Sequence, residues 1–288
     1  MFAALTSLLL LGIVPPTAAS PLPVRALPGV ELVSVAPPTR LQGRLTMPKL
    51  SASGMILLDM RSGDVLLARN PDERRPIASL TKIMTALLIL ENHSPKEIVT
   101  VPPIAESIHG STLGLLPGQR FTVGALLKGL LLPSANDVAY TLAIFHARSV
   151  GAFVQEMNER AQTLGLKNTH FTNPAGLDNE QQYSTPRDLA WLTAAALKHP
   201  DFRAIVGMRT ATIFSEDGKV YDLRNTNELL HYNQNVFGVK TGTTDAAKEC
   251  LVILFSSHGR LYLLVLLKSH DRYTDSLYVL QAVDAAAQ

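Results

Sequence analysis

The order of apolar and polar residues divides the chain into three stretches. Ala3 to Val14 is nearly unbroken apolar, Pro15-Pro16 ends the run, and the small residues Thr17-Ala18-Ala19-Ser20 follow. Such a run is too short to span a bilayer and reads as a signal peptide over residues 1–19. No Lys or Arg precedes it, which leaves a buried N-terminal helix as the alternative. Over residues 20–51 prolines recur (Pro21, Pro23, Pro28, Pro37, Pro38, Pro48) without periodicity, as expected of a tether. Patterned sequence follows, and residues 52–288 are expected to form the folded body.

Within the body, Met55-Ile-Leu-Leu-Asp59 and Val65-Leu-Leu-Ala68 flank a turn at Arg61-Ser-Gly-Asp64, predicting a β-hairpin. A helix is predicted from Ser79, with Leu80, Ile83, Met84, Leu87 and Leu88 on one stripe. The middle of the chain is mostly helical in pattern, with helices at Phe121 to Leu132 and Asp137 to Ala147 separated by Pro133-Ser-Ala-Asn136. Another helix begins at Pro186, with Thr185 as its cap and Asp188 facing the positive N-terminus. Strands return at Val236 to Thr241, Cys250 to Ser256 and Leu261 to Leu267, and a last helix starts near Asp275. Strands at both ends with helices between them imply an α+β fold. The sheet part is expected at about 52–92 and 205–288, with an inserted helical subdomain at about 93–204.

Composition narrows the function. The chain is 47% hydrophobic and 17% charged with a net charge of +2, and no basic block suggests a nucleic-acid partner. No other stretch reaches membrane-spanning length without a charge or proline. Cys250 is the only cysteine, so no internal disulfide can form, and its apolar surroundings predict an inert core thiol. The eight histidines are scattered and no metal-ligand spacing occurs, so no metal or other cofactor is expected.

Three short clusters could carry chemistry. In Ser79-Leu-Thr-Lys82 the serine could simply cap the helix. A capping box, however, wants Glu or Gln at the third position, and here stands a lysine opposed by the helix dipole. That placement favours the neutral amine, which can take a proton from a serine hydroxyl one turn away. Ser134-Ala-Asn136, taken alone, reads as a helix–helix turn with Ser134 as a cap. Lys240-Thr-Gly242 ends a strand, where a lysine, a hydroxyl and a glycine can hold a carboxylate while a substrate backbone lies close.

Together the three are more informative. Ser79 is the only serine with lysine at +3, and S-x-N and K-T-G each occur once, in the chain order S-x-x-K, S-x-N, K-T-G. In this the sequence resembles the penicillin-binding proteins and serine β-lactamases. It is most similar to the low-molecular-mass D-alanyl-D-alanine carboxypeptidases and endopeptidases. The likeness runs from about Ser51 to Leu280. It includes Ala78 to Ala86, Leu126 to Asp137, Asn173-Pro-Ala-Gly-Leu-Asp178, Tyr183 to Asp188, and Gly238-Val-Lys-Thr-Gly-Thr-Thr244.

The resemblance implies a five-stranded antiparallel sheet flanked by helices, and a role for each motif residue. Ser79 would attack the carbonyl of a D-Ala–D-Xaa bond in a peptidoglycan stem peptide, with Lys82 as base. Ser134 would relay a proton to the leaving amine, and Asn136 would orient Lys82 and the substrate amide. Lys240 and Thr241 would bind the terminal carboxylate beside Gly242, and the N–H groups of Ser79 and Thr243 would form the oxyanion hole. Arg272 falls where such enzymes often have a further carboxylate-binding arginine, and it is equally explicable as a surface charge. β-Lactams would be covalent inhibitors, and the enzyme would act outside the cytoplasmic membrane.

Two features depart from the family pattern. Lys248 stands where a glycine is usual before the fourth strand. The stretch after Gly242 has room for two strands and a helix, so no appended C-terminal domain is expected. Three other functions compete with a carboxypeptidase. An endopeptidase cutting cross-links would share every motif. A serine β-lactamase of the related class needs an E-x-x-L-N loop, which none of Glu156, Glu159, Glu180, Glu216 or Glu228 begins. A non-catalytic β-lactam sensor of the same fold would acylate without turnover.

Overall fold

The computed structural model describes residues 45–286, so the expected signal peptide and most of the expected tether lie outside the described residues. The hairpin forms as strands β1 (Gly54–Asp59) and β2 (Val65–Arg69). A 3-10 turn over Ala78–Thr81 leads into helix α1 (Lys82–Asn92). Next come β3 (Ile98–Thr100), β4 (Arg120–Thr122), α2 (Val123–Leu131), α3 (Asn136–Ala147) and α4 (Val150–Thr163). Helices α5 (Pro186–Ala196) and α6 (Pro200–Val206) precede a hairpin of β5 (Thr210–Phe214) and β6 (Val220–Arg224). The chain finishes with α7 (Leu229–Tyr232), β7 (Val236–Thr244), β8 (Lys248–Ser257), β9 (Arg260–Ser269) and α8 (Arg272–Ala286).

Five strands form one antiparallel sheet in the order β2-β1-β9-β8-β7. The terminal strands therefore meet in its centre, and K-T-G lies on the edge strand β7. Alternate residues of the central strands enter different cores: Ile56, Val252 and Val265 face the core containing α1 and α5, while Leu57, Ile253 and Leu264 face the core containing α8. Because both faces are covered, these strands read as continuous apolar runs rather than alternating ones. Helix α1 shows the same effect, since every residue from Lys82 to Ile89 is buried. Its predicted stripe is one side of a helix enclosed all round.

Two differences from the sequence reading have physical causes, and the turn at Lys248 is resolved. Residues 45–51 do not behave as a tether at their end: Leu50 is buried in the core under α8, and Leu45 and Met47 pack against it. The β5–β6 hairpin escapes prediction because most of its side chains are exposed, with only Ile213, Tyr221 and Leu223 buried. Lys248 adopts φ +54°, a left-handed conformation that glycine takes without strain. The β7–β8 turn thus places a lysine in a conformation that favours glycine.

Thr185 caps α5 as predicted, its hydroxyl accepting from the Asp188 N–H at 3.1 Å. Cys250 is buried in β8, and burial pushes its thiol up to about 11.

Candidate active site

Ser79 sits at the junction between the sheet and α1. Neither the 3-10 turn nor α1 has a side-chain cap, so Ser79 is not the capping residue that its position suggests. Ala78, just before it, has φ +48°, a costly conformation for a residue with a Cβ. This backbone holds the serine half-exposed while the residues on either side are buried. What fixes it is a second segment, Asn173 to Asp178. There the Asn173 carboxamide oxygen accepts from the N–H groups of Ala175, Gly176 and Leu177 at 3.1, 2.7 and 3.1 Å. Thr85 of α1 donates to the Pro174 carbonyl at 2.7 Å, docking this loop on the helix.

Lys82 is fully buried, with three oxygens around its amine. Nζ lies 2.9 Å from Ser79 Oγ, 2.8 Å from Asn136 Oδ1 and 2.6 Å from the Ala175 carbonyl oxygen. Burial first, and the charge of Lys240 second, hold its pKa well below the ordinary lysine value, with Asp137 opposing. Burial is thus a cause that the sequence argument from the helix dipole did not identify. With its pKa lowered in this way, the amine can be neutral, and the geometry accommodates that form. Asn136 Oδ1 and the Ala175 carbonyl can only accept and take its two hydrogens, which leaves the lone pair facing the one neighbour able to donate.

Asn136 opens α3. Its Nδ2 donates to the His109 carbonyl at 2.9 Å, which fixes its oxygen toward Lys82. The next residue, Asp137, is buried and accepts from the N–H groups of Leu113 and Leu115, so the loop over the cleft is tied to α3. Ser134 is held at φ +66°, and its buried hydroxyl has no hydrogen-bond partner among the described residues.

Lys240 and Thr241 are buried on β7. Burial, with help from the charge of Arg272, lowers the Lys240 amine to about 7. Its Nζ donates to the Thr241 carbonyl at 3.0 Å. Gly242 passes so near the nucleophile that an added Cβ would lie 3.0 Å from the Ser79 nitrogen. Thr243 is exposed at the cleft. Arg272, the first residue of α8, donates from Nη1 to the Gly242 carbonyl and Thr243 Oγ1, both at 2.9 Å, and to the Cys250 carbonyl at 3.2 Å. It braces the K-T-G strand rather than lying free on the surface. A cavity of about 610 Å³ opens beyond Thr243, lined by residues including Leu177, Asp178, Asp245 and His270.

All nine residues singled out in the sequence therefore lie on the segments that meet here. Asn173, Gly176 and Asp137 were not assigned roles, although Asn173-Pro-Ala-Gly176 carries a turn signature that marks a fixed backbone. Among the described residues no group of three or more His, Cys, Asp or Glu is placed to hold a metal ion.

Comparison with known proteins agrees with this geometry. The profile of the D-alanyl-D-alanine carboxypeptidase family, peptidase family S11, matches residues 42–270. The D-alanyl-D-alanine carboxypeptidase DacF of Bacillus subtilis is 36% identical over 231 residues, covering 77% of this chain and 59% of the relative. A D-alanyl-D-alanine endopeptidase of Pseudomonas aeruginosa is 32% identical, covering 84% of this chain and 79% of its own length. Among solved structures, the Streptomyces K15 DD-transpeptidase superposes with a TM-score of 0.78 at 34% identity, covering 84% of this chain and all of that one. With a family profile spanning most of its length and its three motifs gathered around one cleft, the chain belongs to the D-alanyl-D-alanine carboxypeptidase family of serine peptidases.

Proposed function

We propose that the protein is a serine D,D-carboxypeptidase that removes the terminal D-alanine from peptidoglycan stem peptides and is acylated by penicillins. One observation carries this reading: the buried amine of Lys82, held by the Asn136 and Ala175 oxygens at 2.8 and 2.6 Å, lies 2.9 Å from Ser79 Oγ. A weak nucleophile beside such a base is suited to acyl transfer.

In the first step Ser79 Oγ bonds to the penultimate D-Ala carbonyl carbon, and Lys82 takes the hydroxyl proton. The N–H groups of Ser79 and Thr243 stabilise the resulting oxyanion, each worth roughly 3 kcal/mol. The C–N bond then breaks, and the proton passes from Lys82 through Ser134 to the departing amine, which leaves as D-alanine. The unpartnered Ser134 hydroxyl supports the relay role. Water then attacks the ester, its proton returning through Lys82 to Ser79 Oγ. Lys240, aided by Thr241 and with Arg272 behind it, holds the terminal carboxylate that marks the substrate's end. The folded body is read as a sheet part and a helical part with the cleft between them. The N-terminal signal reading places this cleft outside the cytoplasmic membrane, where stem peptides are found.

The endopeptidase reading has the support of the Pseudomonas aeruginosa relative, which matches 84% of this chain. Both reactions share the nucleophile and acyl half and differ in the leaving amine. Digestion of purified peptidoglycan with product analysis by mass separates them. Free D-alanine with cross-linked dimers intact is the expected result. Conversion of dimers to monomers without free D-alanine would overturn the choice.

A further inference from the structure

Thr226 follows β6 in Asn225-Thr-Asn227 and lies next to the carboxylate-binding strand. Asn225 and Asn227 are buried, at 1% and 0% exposure, while Thr226 between them is exposed. The two asparagines anchor the loop from inside. Asn225 Nδ2 donates to the Met208 carbonyl at 2.9 Å, and its oxygen accepts from the Asn227 N–H at 2.9 Å. Thr226 is thereby held at the cleft, where it touches both walls. Its N–H donates to the Leu132 carbonyl at 3.1 Å, just before Pro133-Ser134, and its hydroxyl lies 2.6 Å from Thr241 Oγ1. On the far side Tyr273, next to Arg272, donates its hydroxyl to the Thr226 carbonyl at 2.8 Å.

Building on the proposed function, we infer that Thr226 is a positioning residue for the carboxylate subsite, setting the direction in which the Thr241 hydroxyl donates. Two arrangements of the hydroxyl pair exist. If Thr226 donates to the Leu132 carbonyl, 3.3 Å away, Thr241 must donate to Thr226 and turns only lone pairs toward the cleft. If Thr226 instead donates across the 2.6 Å contact, the Thr241 hydrogen is free for an incoming carboxylate. Both arrangements use the 2.6 Å contact; the first adds only a 3.3 Å bond to a carbonyl that already accepts the Thr226 N–H at 3.1 Å, whereas the second leaves the Thr241 hydrogen to be taken by a bound carboxylate, a stronger acceptor than that carbonyl. A hydroxyl that already accepts a hydrogen bond is also a stronger donor. The signal in sequence is slight, a threonine between two asparagines.

Acylation by a penicillin free acid and by its methyl ester tests this on the intact protein. The acid carries the carboxylate and the ester lacks its charge. Thr226→Val and Thr226→Ala should lower the second-order acylation constant for the acid by about three- to tenfold. The ester constant should change less than about twofold, and Thr226→Ser should restore the preference for the acid. Equal losses on acid and ester, or no loss on the acid in variants that melt like the wild type, would overturn the role. A wild-type protein that acylates but releases no D-alanine would defeat the hydrolytic reading while leaving this comparison intact. A wild type that is never acylated would end both.

Discussion

Gly176 passes so close to Ala78 that a Cβ on it would lie 2.0 Å from the Ala78 carbonyl oxygen and 2.9 Å from the Ser79 nitrogen. Its φ of +91° is itself a conformation that side chains resist. The loop that supplies the Ala175 carbonyl to Lys82 is therefore in van der Waals contact with the backbone that presents the nucleophile. Gly176→Ala should cost about 2–4 kcal/mol from the clash and the strained φ. Penicillin labelling should fall well below the wild-type level even at temperatures where the variant stays folded. Wild-type melting and labelling together would show that the contact does not set the site.

Ser79→Ala should abolish covalent labelling by a fluorescent penicillin without lowering the melting temperature appreciably. No cap hydrogen bond is lost, since Ser79 caps neither the 3-10 turn nor α1. Gel fluorescence beside a thermal melt reads both. Undiminished labelling in this variant would remove Ser79 as the nucleophile.

The two lysines divide the work differently. Lys82 needs to be neutral, and arginine stays protonated, so Lys82→Arg should slow acylation by at least about two orders of magnitude. Lys240 needs its charge, and Lys240→Arg should retain considerably more activity. Equal losses in stopped-flow acylation would contradict the division into base and binder.

A pH profile should show both groups. Acylation by a penicillin free acid should rise with pH as Lys82 loses its proton, its pKa lying well below the ordinary lysine value. It should fall again above about pH 7, where Lys240 loses the charge that binds the carboxylate. The methyl ester should show the rising limb alone. Identical profiles for acid and ester would remove Lys240 from carboxylate binding.

The depressed Lys240 amine also has a consequence for stability. The unfolded chain keeps its proton up to about pH 10.4, whereas the folded protein gives it up near 7. Below pH 7 both states are charged and folding carries the full cost of burying the ammonium. That cost is lifted as pH rises from about 7 to 10. Lys240→Met should therefore be more stable than the wild type at pH 6, by about 2–4 kcal/mol, and lose the advantage toward pH 10. Urea denaturation at the two pH values measures it, and a constant difference would refute the linkage.

The sequence alone was enough for the α+β class, the first hairpin and the late strands, because long apolar runs bounded by turn residues have few other readings. It also marked S-x-x-K, S-x-N and K-T-G, since each occurs once and in order. Residue types at short spacing are visible in a linear chain. Contacts between distant segments are not, and these decided the chemistry. The Ala175 carbonyl reaches Lys82 across 93 positions, and Asn136 reaches it across 54. The sequence could suggest that Lys82 is neutral only from its place at a helix start. The fold supplies a further cause by enclosing α1 on every side, and burial is the first contribution to the lowered pKa of Lys82, ahead of the charge of Lys240. Arg272 shows the same limit, because its distance from Thr243 depends on α8 starting beside the end of β7. What was hidden, from Asn173 to Thr226, consists of polar side chains whose role is to hold other backbones in place, and such a role exists only once those backbones have met.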